Sequence, residues 1–217
     1  MALTDTTTVR LLTNLTTSDI SDDDISSIIT QATAQINSDI NIKIIREFIT
    51  GIDKTRENKI DGSNTNYYVR NWYGTFLADN NNDGVVDVSD VIVYQVNSAG
   101  TESVLTISAI DDDDCKITLS SAPSSGVRLY VTYSYSYVRQ LVGSVDARLK
   151  LAATLLTSAY CYAKINFGRP LSEQFGSTKL VRHMDSFNQY YNRYLELVKQ
   201  IQSLGGIVQN TENVWTY

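Results

Sequence analysis

The 217-residue chain has one histidine, His183, and two cysteines, Cys115 and Cys161, which lie far apart with no metal-ligand spacing. A zinc site draws several such groups together, so none is expected, and the two thiols read as free or buried. A lone helical histidine reads as structural or exposed. No run approaches the ~20 apolar residues of a membrane span. Residues 1–17 are rich in threonine and lack the basic start and apolar run of a signal peptide, so a cytoplasm, or an assembly made there, is the expected compartment. A Gly-rich phosphate loop, a nucleophile elbow and the zinc motifs are all missing, and no catalytic residue is expected. The net charge of −6 gives no bulk attraction for nucleic acid phosphates.

What is present begins with a helix over Asp22–Ile40. Ser21 can cap it, and Asp22, Asp23 and Asp24 sit at the positive end of its dipole. Ile20, just outside, can reach Ile25 as a hydrophobic staple. Ile25, Ile28, Ile29, Ala32, Ile36 and Ile40 form one stripe that needs a partner. The preceding residues are polar except Val9, Leu11, Leu12 and Leu15, and read as a helical turn or loop. The partner stripe lies on a second helix within 146–167, at Leu149, Ala152, Ala153, Leu156, Ala159, Tyr160, Ala163 and Phe167, closed by Gly168 and Pro170. A third helix is expected from about Thr178 to Leu204, ended by Gly205-Gly206. Its apolar row, Leu180, Met184, Phe187, Tyr191, Tyr194, Val198, Ile201, has heptad spacing. It fits either a seam with another subunit or packing on the chain's own helices.

Between the helices the pattern is that of strands and turns. Residues 42–49, 66–72, 91–96, 104–110, 116–119 and 127–137 read as strands, with turns at Asp61-Gly62-Ser63-Asn64, Ser98-Ala99-Gly100, Asp111–Asp114 and Pro123–Gly126. Val127, Leu129, Val131, Tyr133, Tyr135 and Tyr137 share one face of the last strand. The expected class is α+β: a helical body of three main helices with an inserted antiparallel β-module, a small barrel or sandwich. The expected divisions are 1–41 and 141–206 for the body, 42–140 for the module and 207–217 for a C-terminal docking tail.

The most specific stretch is Asp79–Asp90. Oxygen-bearing side chains stand at loop positions one, three, five, nine and twelve (Asp79, Asn81, Asp83, Asp87, Asp90). Gly84 is at six, and Val85 at seven would offer its carbonyl. This is the EF-hand spacing with Asp in place of the final Glu. Two carboxylates ~4 Å apart repel by about 4 kcal/mol at an effective dielectric of 20, and a divalent cation relieves that. The expectation is a structural Ca²⁺. The alternative is an Asn/Asp/Gly turn with its carboxylates splayed into water. Over these residues the chain resembles the calcium loop of dockerin modules, although the flanks Phe76-Leu77 and Val91–Val96 read as strand and the loop has no duplicate.

The order of parts resembles the head–tail connector, or adaptor, proteins of tailed viruses. The stretches that carry the likeness are Leu11-Leu12-Thr13-Asn14-Leu15-Thr16-Thr17-Ser18-Asp19-Ile20-Ser21-Asp22, the alanine-rich helix with its inward tyrosine at Ala152–Ala163, Asp61-Gly62-Ser63-Asn64-Thr65, and Gly126-Val127-Arg128-Leu129-Tyr130-Val131-Thr132-Tyr133. The resemblance implies a structural virion protein, made in the host cytoplasm, that forms a ring with copies of itself, commonly a dodecamer. Such a ring sits under the portal protein in the neck and meets tail or stopper proteins. DNA passes through its lumen without specific binding, and no membrane is involved. The resemblance also implies that the C-terminal segment docks on the portal, through Val214, Trp215 and Tyr217. A calcium-dependent binding module of a surface or extracellular assembly is the alternative function.

Overall fold

The structure is a computed structural model and describes residues 3–51, 56–140, 145–167 and 177–212. Within α4 the side chains of 177–184 and 206–212 lie outside the description. The class is α+β, with four α-helices and antiparallel sheets among the described residues. Two compact units divide the chain: Met1–Asp39 with Val145–Gly206, and Ile40–Ser144 with Ile207–Tyr217.

The first unit is helical. Residues expected as a turn or loop form a true helix, α1 (Thr6–Thr13). Asp5 caps it, its carboxylate accepting from the Thr8 amide at 2.8 Å and the Thr8 hydroxyl at 2.9 Å. Asn14 ends it at φ 55°, a left-handed conformation that Asn tolerates. Helix α2 (Asp22–Ile40) starts as the sequence indicates: Ser21 Oγ accepts from the Asp24 amide at 3.1 Å, and Ile20 and Ile25 are both buried in one cluster. All six residues of its stripe are buried. Arg10 ties α1 to the start of α2. Its guanidinium donates to the carbonyls of Leu15 (3.1 Å) and Ile20 (2.9 Å) and to the Asp22 carboxylate (2.7 and 3.0 Å).

Helix α3 (Ala147–Phe167) is the centre of this unit. Every residue from Ala152 to Ala159 is buried, so these two turns are covered on all sides and not along one stripe, while Arg148, Lys150, Leu151 and Lys164 are exposed. Two of its buried polar members are accommodated locally, Thr154 Oγ1 donating to the Lys150 carbonyl and Ser158 Oγ to the Thr154 carbonyl, whereas the buried Thr157 hydroxyl has no partner. Further along, Tyr162 donates to the Thr13 carbonyl at 2.8 Å and stacks on Tyr190 of α4 at 5.7 Å between ring centres. Burial pushes the Tyr162 hydroxyl above its ordinary range, with the neighbouring Tyr190 adding to it.

Helix α4 (Ser177–Glu212) runs through Gly205-Gly206, where an end was expected. Glycine weakens a helix by about 1 kcal/mol per residue relative to alanine, which is not enough by itself to stop one. Of the heptad row, Tyr194, Val198 and Ile201 are buried in the chain itself, and Tyr194 donates to the Asp39 carboxylate of α2. Gln202 also reaches α2, donating to the Asp39 carbonyl at 2.8 Å. Leu180 and Met184 lie outside the described side chains, as does His183.

Among its described residues the second unit holds eight strands: β1 (Ile42–Phe48), β2 (Asn66–Tyr68), β3 (Phe76–Ala78), β4 (Ile92–Val96), β5 (Glu102–Leu105), β6 (Ile107–Asp111), β7 (Lys116–Leu119) and β8 (Arg128–Ser136). They make two open antiparallel sheets, ordered β1-β8-β4-β5 and β2-β7-β6, with β3 also pairing β8. No closed barrel forms among the described residues, which corrects that part of the expectation. The expected strand over 104–110 is two. The chain leaves the first sheet after Leu105 and joins the second at Ile107, the step a strand takes at a corner between sheets. Buried Val93, Leu129, Val131 and Tyr133 of the first sheet share one hydrophobic cluster with Tyr67, Ile117 and Leu119 of the second. On β8 the face expected to be apolar, Leu129 to Tyr135, is buried throughout.

Candidate functional site

The loop Asp79–Asp90 joins β3 to β4, and both of these strands pair with β8, at Ser134–Ser136 and Arg128–Thr132 respectively. The loop therefore bridges two stretches lying end to end beside one strand. Val86 and Val91 pin it to the core. Its backbone turns through left-handed conformations at Asn82 (φ 63°) and Gly84 (φ 84°); the second is the sharp turn for which the glycine was singled out.

Two carboxylates sit inside. Asp79 is 4 % exposed and Asp90 is fully buried. Asp79 Oδ1 accepts from the Asn82 amide at 2.6 Å and Oδ2 from the Gly84 amide at 2.9 Å. Asp90 Oδ1 accepts from the amides of Asn80 (2.7 Å) and Asn81 (3.1 Å), and Oδ2 from that of Asp87 (2.9 Å). Burial pushes the Asp90 carboxyl above its usual range. The Asp79 charge adds to this, and the three amide bonds oppose it.

The other expected ligands lie nearer the surface. Asn81 Oδ1 accepts from the Asp83 amide (2.9 Å), and its Nδ2 donates to Asp83 Oδ2 (2.9 Å) and Ser89 Oγ (2.8 Å). Asp83 Oδ1 accepts from the Val85 amide (2.8 Å). Asp87 Oδ1 accepts from the Ser89 hydroxyl and amide, each at 2.7 Å, which hold its carboxyl below the usual range. Asp87 and Asp90 also form a reciprocal capping box around the 3-10 turn Val88–Asp90.

So the structure brings Asp79 and Asp90 together, keeps Asp83 with Asn81, and leaves Asp83, Asn81 and Val85 exposed. Among the described residues, no three carboxylate, imidazole or thiol groups are arranged to hold a metal ion. By type the donors fit calcium: all are oxygens, two are buried carboxylates, and each carboxylate oxygen has more than one lone pair. Holding an ion from all six positions requires Asp83 and Asp87 to turn inward from the hydrogen bonds they make here.

Three residues that the loop pattern does not contain fix it from outside. Gln140 Oε1 accepts from the Asp79 amide at 3.0 Å, Asn41 Nδ2 donates to the Asp79 carbonyl at 2.8 Å, and Ser134 Oγ donates to Asn80 Oδ1 at 2.9 Å. Gln140 and Asn41 also bond to each other. They lie 61, 38 and 54 residues from their loop partners, beyond the reach of any local motif.

The second acidic turn, Asp111–Asp114, is held by cations of the chain: Arg139 pairs with Asp112 at 2.9 Å and Asp113 at 2.8 Å, and Lys116 pairs with Asp111 at 3.5 Å. The two thiols are buried, which pushes each up to about 12 and leaves them as unreactive thiols. The expected docking residues Val214, Trp215 and Tyr217 lie outside the described residues.

No helix among the described residues is long and apolar enough to cross a membrane. Comparison with models of known protein families finds no match, and neither curated proteins nor solved structures yield one.

Proposed function

We propose that this chain is a structural virion protein of a tailed virus, a head–tail connector that forms a ring under the portal and joins capsid to tail. Support comes from the order of parts: an acid-capped helix, an inserted antiparallel β-module, an alanine-rich central helix carrying an inward tyrosine, and a long last helix. In this reading the partners are further copies of the chain, the portal protein, and tail or stopper proteins. DNA passes without specific binding, which a net charge of −6 favours. No catalytic role is proposed. Residues 207–217 are assigned to docking on the portal. Deleting Gln209–Tyr217 is expected to abolish attachment to portal-bearing capsids and to leave the circular dichroism spectrum of the rest intact. Normal particles from the deletion would refute the docking role.

A calcium-dependent binding module is the second reading, favoured by one observation: Asp79 and Asp90 are two neighbouring buried carboxylates in a loop with EF-hand spacing. It requires calcium-dependent binding of a glycan or cell wall, and a negative pull-down with either excludes it. Calcium as a purely structural ion belongs equally to the connector reading, where it would fix the shape of a long turn.

A further inference from the structure

The first sheet ends in two strands, β1 and β5, that have no outer neighbour among the described residues. An unpaired edge presents a row of N–H and C=O groups ready for another chain, and such edges are normally kept short, charged or covered. Here β1 is seven residues long and exposes Ile42 (39 %), Ile45 (70 %) and Phe48 (45 %), while β5 exposes Val104 (64 %).

The two edges are complementary in direction. Along β1-β8-β4-β5 every neighbouring pair is antiparallel, so β1 and β5 run in opposite senses. A second copy set head to tail therefore lays its β5 antiparallel beside β1, and the alternation of the sheet continues unbroken.

They are also complementary in length and face. The pairing of β1 shifts register between Ile44 and Glu47, with Arg46 at φ 58°, so Ile42–Ile44 lies ahead of the bulge and Ile45 begins it. Those three residues with Ile45 span the four residues of β5. Ile42 then lies opposite Leu105 of the next copy, Lys43 opposite Val104, Ile44 opposite Ser103 and Ile45 opposite Glu102. Ile44 and Leu105 both pack on the core, pairing with Tyr133 and Val93. Lys43 and Val104 both take the other face, pairing with Ser134 and Tyr94. Every side chain in the junction keeps its side, as a shared sheet demands. Lys43 becomes the diagonal neighbour of Glu102 of the next copy, whose carboxylate also holds Arg46 of its own chain, so the cation adds to an existing ion pair.

We infer that copies of this chain join head to tail by pairing β1 of one with β5 of the next, making one continuous antiparallel sheet across the junction. A junction between two different surfaces closes into a ring or runs on as a filament. The inference rests on the reading of the chain as a ring-forming protein, and it names the surface that joins the copies.

The test uses the full chain in solution. In the double variant Lys43→Cys/Val104→Cys the two positions of one chain lie three strand spacings apart across the sheet, about 14 Å, and are also offset along β8, between the rows of Ser134 and Tyr130. No disulfide spans that distance, so oxidation can only link copies. Cys115 and Cys161 are buried and stay out of the reaction. With diamide as oxidant, a ladder of covalent multimers is expected on a non-reducing gel, and an equal mixture of the two single variants should give dimers only. Ile45→Glu, at an exposed position, sets a carboxylate against Glu102 of the next copy. Light scattering should show the wild type as a multimer and this variant as a monomer with an unchanged circular dichroism spectrum. A wild type that is monomeric at its solubility limit, or a double variant that yields no ladder, overturns the inference. A wild-type ring without the ladder would leave the connector reading standing and move the ring contact elsewhere. Absence of the protein from virion necks would remove the connector reading while leaving the edge junction intact.

Discussion

Replacing Arg10 with methionine is the most informative single change in the helical unit. Methionine retains much of the aliphatic stem, so the packing change is small and the loss is that of the guanidinium. Two kinds of bond disappear. The pair with Asp22 is exposed at the carboxylate, and exposed pairs contribute about 0.2–1 kcal/mol. The bonds to the Leu15 and Ile20 carbonyls are charge-assisted and lie in the turn between α1 and α2, where both residues are buried. Hydrogen bonds to charged groups contribute about 1.5–3 kcal/mol each, and water can replace part of that at this half-buried site. Arg10→Met should therefore cost about 2–4 kcal/mol. At about 2–4 °C per kcal/mol for a chain of this size, the melting temperature should fall by about 4–16 °C. Asp22→Asn removes the ion pair alone and should cost no more than about 1 kcal/mol. The assay is thermal unfolding followed by circular dichroism. Equal losses in the two variants would refute the assignment of the holding power to the carbonyl bonds.

Three further outcomes are expected. If calcium occupies the Asp79–Asp90 loop, chelation lowers the wild-type melting temperature and Asp83→Ala abolishes that sensitivity; Asp83 is exposed, so its loss without metal should stay within about 0.5 kcal/mol, and a wild-type melt indifferent to calcium rules out a structural ion. Asp61 is held at about 2 by the amides of Ser63 and Asn64, below its ordinary value of 3.8, so its contribution is present above the ordinary value and lost as pH falls towards 2; Asp61→Asn should flatten the acid side of a stability–pH curve, and an unchanged curve contradicts this. Asp90 has the opposite sign: its raised folded value means that its contribution is present below 3.8 and is lost as pH rises through the folded value, so in chelator the wild type should gain on Asp90→Asn as pH is lowered, and a gap constant with pH, read from urea titrations, would contradict it.

Helix α2 was legible because cap, staple and stripe agree over nineteen residues. Helix α3 was legible as a helix but not as the centre of its unit. Alanine, threonine and serine on its remaining faces read as weakly polar, and only the structure shows Thr154 and Ser158 turning their hydroxyls onto their own helix. The break between β5 and β6 was hidden because residues 102–111 keep a strand-like character while changing sheets at Thr106. In the loop, spacing alone located Gly84 and the inner pair Asp79 and Asp90. It could not show which carboxylates turn inward, because that depends on amide bonds along the loop and on Asn41, Ser134 and Gln140, which arrive from distant strands and turns. The free edges β1 and β5 were likewise invisible, since strand order does not follow chain order.

The central claim is that this protein sits in the neck of a tailed virion, and immunogold electron microscopy of particles from the producing culture tests it most directly. An antibody to this chain should place gold at the junction of capsid and tail. Tailed particles unlabelled at that junction, with the protein detected in blots of the same culture, would contradict the claim.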